Sequence, residues 1–584
     1  MGIIFEILLL WVFWSFIFIG LGNTVYFFVY SFVSRDDGII KHVQESIGVD
    51  RFFDCFWIGW ASSLFFLQIW HFFSPVNIGA FLACFLISLI GWESYRRFFK
   101  LNRVNSWAWV GVFLAISIIV AVWLAMRLWS AITIYDHPLY YLQQIFWAKS
   151  YSIIPGLANL YNRLGFYDGF FLYTAMMDSF SSIPGYKLSG SLLMAVLLVQ
   201  CILGVVRVLK DQTACGLRNV FFGVLFIPVL IKAGTPCTVN VPVTDTPIFI
   251  LVIIVSGYFL DFLAGIDKNK KPSHLIFLIT ILSVAGIIIK GSFLYFGLWL
   301  IAVTYLLWFF KSDRSRLERR MVLAGIFIAV IGGVVPFIIR NIVVSGYFLF
   351  PFPYLSLALD WRVPFIKSYT TYNQVLCWSR EPRVDWHIVL KNLAWVYPWF
   401  RSMMYRRVEF VIPIIVYLLA SVLLLGRVFF SKEFLRDLKV WAIFSGTIVV
   451  GLLMWFFSSP DIRFVDAQFL VLPAGTMAIL LLSLNPGRVF WWIVGVVTIV
   501  FIVKAFDFPL LTRLGARYFS ETRNFYQPRT IALRPFRTDS GLIIYTPVKG
   551  EFCWGSKVLC TPYPDAKLIL RKPDSIDGGF KISR

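Results

Sequence analysis

Seven ionisable residues stand where long apolar stretches give way to loops. Asp136 and His137, in YDHPLYYLQQIFW, follow the apolar run 107–129; Asp245, in CTVNVPVTDTP, precedes the run 247–263; Lys290, in IIIKGS, separates two runs. Arg340 closes another run in PFIIRNIVVSGYFLFP, and Asp461 with Arg463 lies in SSPDIRF after the run 440–457. Ionisable groups at such positions are costly and often functional. The carboxylates have the chemistry to take a proton from a hydroxyl, and the cations to hold an anion. Each residue also has a plainer role open to it: a helix cap or headgroup contact for Asp136, a snorkelling tail for Lys290, a phospholipid contact for Arg340. Asp461 with Arg463 could be a local ion pair, and His137 an ordinary hydrogen-bonded loop residue rather than a metal ligand. As a set they fit the mouth of a catalyst or of a transporter.

The elements that must hold these residues are membrane helices. A chain of 584 residues that is 59% hydrophobic and only 14% charged, with mean hydropathy +0.78, cannot be packed as an ordinary soluble domain. Crossing a bilayer takes about 20 apolar residues per helix, and the continuous runs exclude a β-barrel. Runs at 7–33, 52–73, 76–92, 107–129, 188–208, 219–234, 247–263, 274–289, 292–310, 321–339, 409–430, 440–457, 467–484 and 489–507 predict about fourteen spans. The first lacks a basic leader and is too long for a cleavable core, so it reads as a retained helix.

Lys and Arg sort the short loops. Arg96 to Arg103, Arg207 to Arg218, Lys268 to Lys271, Lys311 to Arg320 and Arg427 to Lys439 bound five basic loops, cytoplasmic under the positive-inside rule. The N-terminus, the long segments 130–187, 340–408 and 508–584 and the C-terminus then lie outside, and the acid and base set converges on that face, with no comparable set in the cytoplasmic loops. The net charge of +22 follows from this topology and from anionic headgroups, and gives no reason to expect nucleic acid. Cys553 and Cys560, in EFCWGSKVLCTPYP, fall outside, where an oxidising compartment lets them pair; no nearby Cys or His completes a zinc site.

The order of these features resembles the GT-C superfamily of integral-membrane glycosyltransferases over about residues 107–485. A span (Trp107 to Trp129) leads to an acidic loop position (Asp136), a second acid (Asp245) lies in the short loop between the module's third and fourth helices, and Arg340 begins a segment like the large loop after the seventh. The phrases IIPGLANLYNRLGF, RNIVVSGYFLFP, SSPDIRF and CWGSKVLCTPYP also look like bacterial membrane proteins of the same build. The chain departs in having three spans before the module and Tyr-Asp-His where a paired acid is usual. The resemblance implies transfer of a sugar from a polyprenyl-phosphate-linked donor to a cell-envelope glycan, lipid or protein acceptor, on the extracytoplasmic face of a bacterial inner membrane. Asp136 would be the base, Asp245 an orienting acid or, with Asp136, the holder of a divalent cation such as Mg or Mn. Lys290, Arg340 and Arg463 would bind the lipid phosphate. The implied organisation is extra helices over 1–106, a GT-C-like module over 107–339 with its first loop at 130–187, a large loop at 340–408, further helices over 409–507 and an appendage over 508–584.

Within the first long loop, LYYLQQIFW and GFFLYTAMM carry apolar residues at helical spacing and predict helices lying in the membrane interface. Pro155, Gly156 and Asn159 predict a turn near a substrate. In the second long loop Trp361, Arg380 and Asp385 suit an acceptor-facing surface, as a solvated loop equally would; alternating runs such as GLIIYTPV predict a small, partly β appendage at the end. No phosphate-binding loop, dinucleotide fingerprint or metalloprotease motif is present. The competing expectations are a flippase or other secondary transporter of polyprenyl-linked glycans, a surface-polysaccharide polymerase or ligase, and a catalytically silent scaffold.

Overall fold

Runs this apolar must satisfy their backbone groups internally, and they do so as helices. The structure, a computed structural model, describes residues 2–33, 50–98, 107–130, 132–166, 169–210, 215–266, 273–310, 316–428, 435–484, 531–556 and 559–583. Three helices open the chain: α1 (Gly2–Val33), α2 (Asp50–Trp70) and α3 (Ile78–Phe98). α1 packs along both others, and glycine permits the approach: a Cβ on Gly22 would lie 1.9 Å from the Cys55 carbonyl oxygen, and one on Gly59 1.8 Å from that of Phe18. Small residues at such crossings let helix backbones meet inside a bilayer.

After α4 (Trp107–Arg127) comes the first long loop, where a π-helical turn, His137–Tyr141, runs into α5 (Leu142–Ser150) and α6 (Gly169–Met177) follows. The centre is built by α7 (Gly185–Lys210), α8 (Leu217–Gly234), α9 (Asp245–Ile266), α10 (Ser273–Ile289) and α11 (Leu294–Phe309). Next, α12 (Arg316–Phe327) passes through a π-helical stretch, Ile328–Val334, into α13 (Val335–Ser345). The second long loop carries α14 (Phe365–Arg380), a single turn at Trp386–Val389 and α15 (Val396–Tyr405); α16 (Ile412–Val428), α17 (Leu435–Ser458) and α18 (Asp466–Leu484) complete the described bundle.

Among the described residues eleven helices are long and apolar enough to cross a membrane, and two shorter apolar ones, Ile78–Ser94 and His274–Ile289, lie in α3 and α10. These fall on thirteen of the fourteen expected spans; the last, 489–507, lies outside the described residues. The molecule is a mostly helical, multi-pass membrane protein.

The first loop departs from expectation. One of its two helices leaves no apolar face open: every residue of α6 is buried, packed against α2, α5 and α7, whereas α5 buries Gln143, Ile145, Trp147 and Ala148. Large exposed apolar side chains stand instead in the second loop, among them Trp378, Leu393, Tyr397 and Tyr405.

The last segment forms two antiparallel hairpins, β1 (Leu533–Arg537) with β2 (Ile543–Pro547) and β3 (Leu568–Lys572) with β4 (Ser575–Ile582). They dock onto both long loops. The Phe580 N–H donates to the Pro155 carbonyl at 2.9 Å and the Trp554 N–H to that of Pro138 at 2.9 Å, while Lys367 pairs with Asp565 and Arg571 with Asp360. Cys553 and Cys560 are disulfide-bonded.

Candidate functional site

Asp245 begins α9, where a helix N-terminus favours negative charge, and it pairs with Lys290 from the junction between α10 and α11. The Lys290 ammonium also stands 4.5 Å from the Phe464 ring centroid. Asp461 caps the turn Ile462–Phe464, accepting from the Arg463 backbone N–H at 3.1 Å and from its Nε and Nη2 at 3.0 and 2.7 Å. Burial works to raise the Asp461 carboxyl, but the hydrogen bonds and charge of Arg463, aided by Lys290, outweigh it and hold it below the ordinary range. Beside them Lys232, at the end of α8, reaches Asp466, the first residue of α18, at 2.5 Å, and Asp245 acts electrostatically on both. Sequence reading had not singled out Lys232 and Asp466. Both stand at helix mouths, the same signal that marked Asp245.

Asp136 precedes the π-helical turn, which Pro138 helps start. Its Oδ1 lies 3.5 Å from Arg163 Nη1, and both side chains remain partly exposed. Arg163 also stands 5.5 Å from the Tyr140 ring centroid. The appendage closes over this place: Tyr135 donates to Glu551, Tyr563 bonds Glu551 as well, and Tyr161 packs against Tyr563 with centroids 6.1 Å apart. Its hydrogen bond to Glu551, with some burial, pushes the Tyr135 hydroxyl up to about 12; burial and Glu551 push that of Tyr563 up to about 12. Tyr141, the last residue of that π-helical turn, acts electrostatically on Arg463, while the ion-pair partner of Asp136 is Arg163.

His137 is buried against Tyr186, ring centroids 5.0 Å apart; burial and the nearby Lys187 push it down to about 4. It is part of the core beneath Asp136. Arg340 lies elsewhere. It is buried, with Nη1 3.5 Å from the Gln68 carbonyl oxygen and its guanidinium 5.8 Å from the Phe72 ring centroid. Together with His71, Gln144, Trp147 and Val344 it lines a cavity of about 40 Å³.

The remaining candidates are held by the scaffold. Asn159 Nδ2 donates to the Trp361 and Phe580 carbonyls at 2.8 and 3.3 Å, and Trp361 Nε1 to that of Ile342 at 3.2 Å. The expected turn forms, with Gly156 at φ +66; it docks β4, since a Cβ there would lie 2.1 Å from the Phe580 carbonyl oxygen. Arg380 stands 4.9 Å from the Trp395 ring centroid, and Asp385 caps the turn Trp386–Val389 through the His387 N–H at 2.8 Å. A divalent cation does not suit Asp136 and Asp245: each carboxylate already faces a cation, and among the described residues no group of three or more His, Cys, Asp or Glu is gathered to hold a metal.

A second cluster occupies the other end of α8 and α9, contrary to the expectation that acids and bases gather at one end only. Arg218, at the start of α8, lies 3.4 Å from Asp50, 3.8 Å from Asp54 and 2.9 Å from Asp261. Arg207 adds a contact to Asp50 at 2.8 Å, and the Tyr258 hydroxyl donates to Asp54 at 2.6 Å. Asp50 opens α2, while Asp54 and Asp261 sit within α2 and α9, where a search of the loops for charge passes over them.

Fold and site together define a polytopic α-helical membrane protein whose central helices carry a polar cluster at each end. The chain belongs to the family described as Domain of unknown function (DUF8201), whose profile matches residues 5–470. No curated protein and no solved structure matches it significantly.

Proposed function

We propose that the protein is a glycosyltransferase of the GT-C type, moving a sugar from a polyprenyl-phosphate-linked donor to a cell-envelope acceptor at the extracytoplasmic face of a bacterial inner membrane. The observation that carries this reading is a partly exposed carboxylate, Asp136, directly before a turn whose last residue, Tyr141, acts electrostatically on Arg463, a cation that keeps its side chain 60% exposed. Asp136 takes the proton of an acceptor hydroxyl as its oxygen bonds the anomeric carbon. The bond from that carbon to the phosphate oxygen breaks, and its electron pair leaves with the phosphate. Lys290 and Arg463 stabilise the charge gathering there; Asp245 and Asp461 hold those two cations in place. Arg340, in its own cavity, drops out of the phosphate site.

A flippase or transporter for the same class of lipid is the second reading, favoured by one observation: α8 and α9 carry ion pairs at both ends, as a rocking element would. The test is transfer of labelled sugar from extracted polyprenyl carriers in proteoliposomes, comparing the unaltered protein with Asp136→Asn and Arg463→Ala at matched folding. Transfer lost in both supports the enzyme. Protein-dependent movement of the carrier across the bilayer without transfer supports the transporter.

A further inference from the structure

We infer that the junction between the first long loop and the C-terminal appendage is a saccharide-binding site formed by Tyr135, Asp136, Arg163, Glu551 and Tyr563. This deepens the proposed function by giving the sugar a place, and rests on it only for the consequence of binding.

The two carboxylates come from chain positions far apart, Asp136 pairing with Arg163 and Glu551 with Tyr135. Both act on the same guanidinium, that of Arg163. Two acids against one base leave the place negative, which disfavours a phosphate and suits a neutral polyol. A sugar presents hydroxyls that carboxylate oxygens accept from and an apolar C–H face that packs on an aromatic ring. Tyr135 and Tyr563 offer such rings, 52% and 55% exposed. Polar contacts between groups this exposed add little to stability, so the fold does not depend on them.

The disulfide explains how Glu551 is held. Cys553 follows Glu551 by two residues and Cys560 precedes Tyr563 by three, so the closed loop carries both ligands on its two arms. Gln143 fixes the loop from below, its Nε2 donating to the Trp554 and Ser556 carbonyls at 2.8 and 3.2 Å.

Saturation-transfer NMR on the full chain in nanodiscs, with methyl β-glucopyranoside and N-acetylglucosamine as probes, tests the assignment. Signals from at least one probe are expected in the unaltered protein, and a loss of at least fivefold in Glu551→Gln, in Tyr563→Ala and in the double variant Cys553→Ser/Cys560→Ser, with Tm unchanged. No signal from either probe, or signals that Glu551→Gln and Tyr563→Ala leave intact, overturns it. Should Tyr563→Ala fail to fold, Tyr563→Phe, which keeps the ring and removes the hydroxyl bonding Glu551, is expected to retain part of the signal; an undiminished signal in Glu551→Gln alone then overturns the site. Binding is read without transfer, so a protein that binds sugar but transfers none retains this site and loses the catalytic reading.

Discussion

The two ends of α8 and α9 solve the same electrostatic problem differently. At one end Arg218, its side chain 14% exposed, is shared among Asp50, Asp54 and Asp261, and Arg207 doubles up on Asp50. At the other end the pairs are separate: Lys232 with Asp466, Lys290 with Asp245, Arg463 with Asp461. A shared network, in which one cation answers several carboxylates, ties α2, α7, α8 and α9 together. Where each cation has one carboxylate partner, it can exchange that partner for a ligand, and Arg463, 60% exposed, is the most open of the three. The first arrangement builds the bundle and the second presents charge.

The largest test removes the shared cation. Arg218→Ala leaves three partly exposed carboxylates facing one another without it, at a cost of up to about 3–5 kcal/mol, the figure for breaking a fully buried pair. A large fall in Tm, or loss of monodisperse protein in detergent, is expected. A normal melt would show that the Arg218 end is not the structural one.

Almost as large is the effect of acid on the loop beneath Asp136. His137 is held neutral with its pKa at about 4, below the unfolded value of about 6.5. The unfolded chain therefore binds the additional proton between those values, so this contribution to stability is whole above about pH 6.5 and lost as the pH falls toward 4. The full difference is about 3 kcal/mol by linkage. His137→Gln is expected to flatten the pH dependence of Tm in that window. An unchanged slope would move the acid sensitivity to the carboxylates.

Arg463→Ala separates presentation from construction. Its pair with Asp461 is exposed on the Arg side, but the variant leaves Asp461, 18% exposed, without its cation, so a stability cost of about 1–2 kcal/mol is expected, while on the proposed function transfer falls on the order of a hundredfold. The melt and the transfer assay, run on one preparation, check both. A loss of transfer matched by an equal loss of folded protein would erase the contrast between the two ends.

Much of this was legible in the residues. Among the described residues, eleven membrane-length helices and two shorter apolar ones fall where length and hydropathy place spans, because a bilayer admits few alternatives, and the question of which charges stand at helix mouths marks Asp245, Lys290, Asp461 and Arg463. The same question, asked of every helix end, would also have found Lys232 and Asp466. Asp54 and Asp261 escaped because they sit inside helices whose average is apolar, whereas Asp50, the first residue of α2, carries the same helix-mouth signal. Periodicity in GFFLYTAMM reported apolar surface but not that neighbouring helices cover all of it. Glu551 joins Tyr135 across 416 positions, and nothing local announces such a contact. Arg340 shares the signal of a helix-mouth cation but turns into a cavity, a matter of which face of α13 it occupies.

The smallest effect gives the sharpest contrast. Asp245 and Lys290 are equally exposed, at 20% each, and each is the other's direct partner, so Asp245→Lys or Lys290→Asp alone sets like charges together at a cost of about 1 kcal/mol or somewhat more. The double exchange restores opposite charges, and most of the lost Tm is expected to return; the coupling is read from the double-mutant cycle. The swap also places a carboxylate where the lysine stood and turns a cation toward the N-terminus of α9, which costs a few tenths of a kcal/mol. At the Arg218 end no single exchange can do this, because reversing Arg218 to Asp repels three carboxylates and reversing any one of them rescues only a third of the contacts. If Lys290 holds a phosphate, the swapped protein recovers its stability without recovering transfer. Recovery of both would reduce Lys290 to a structural partner of Asp245, and recovery of neither would show that the pair is as deeply embedded as the network at the opposite end.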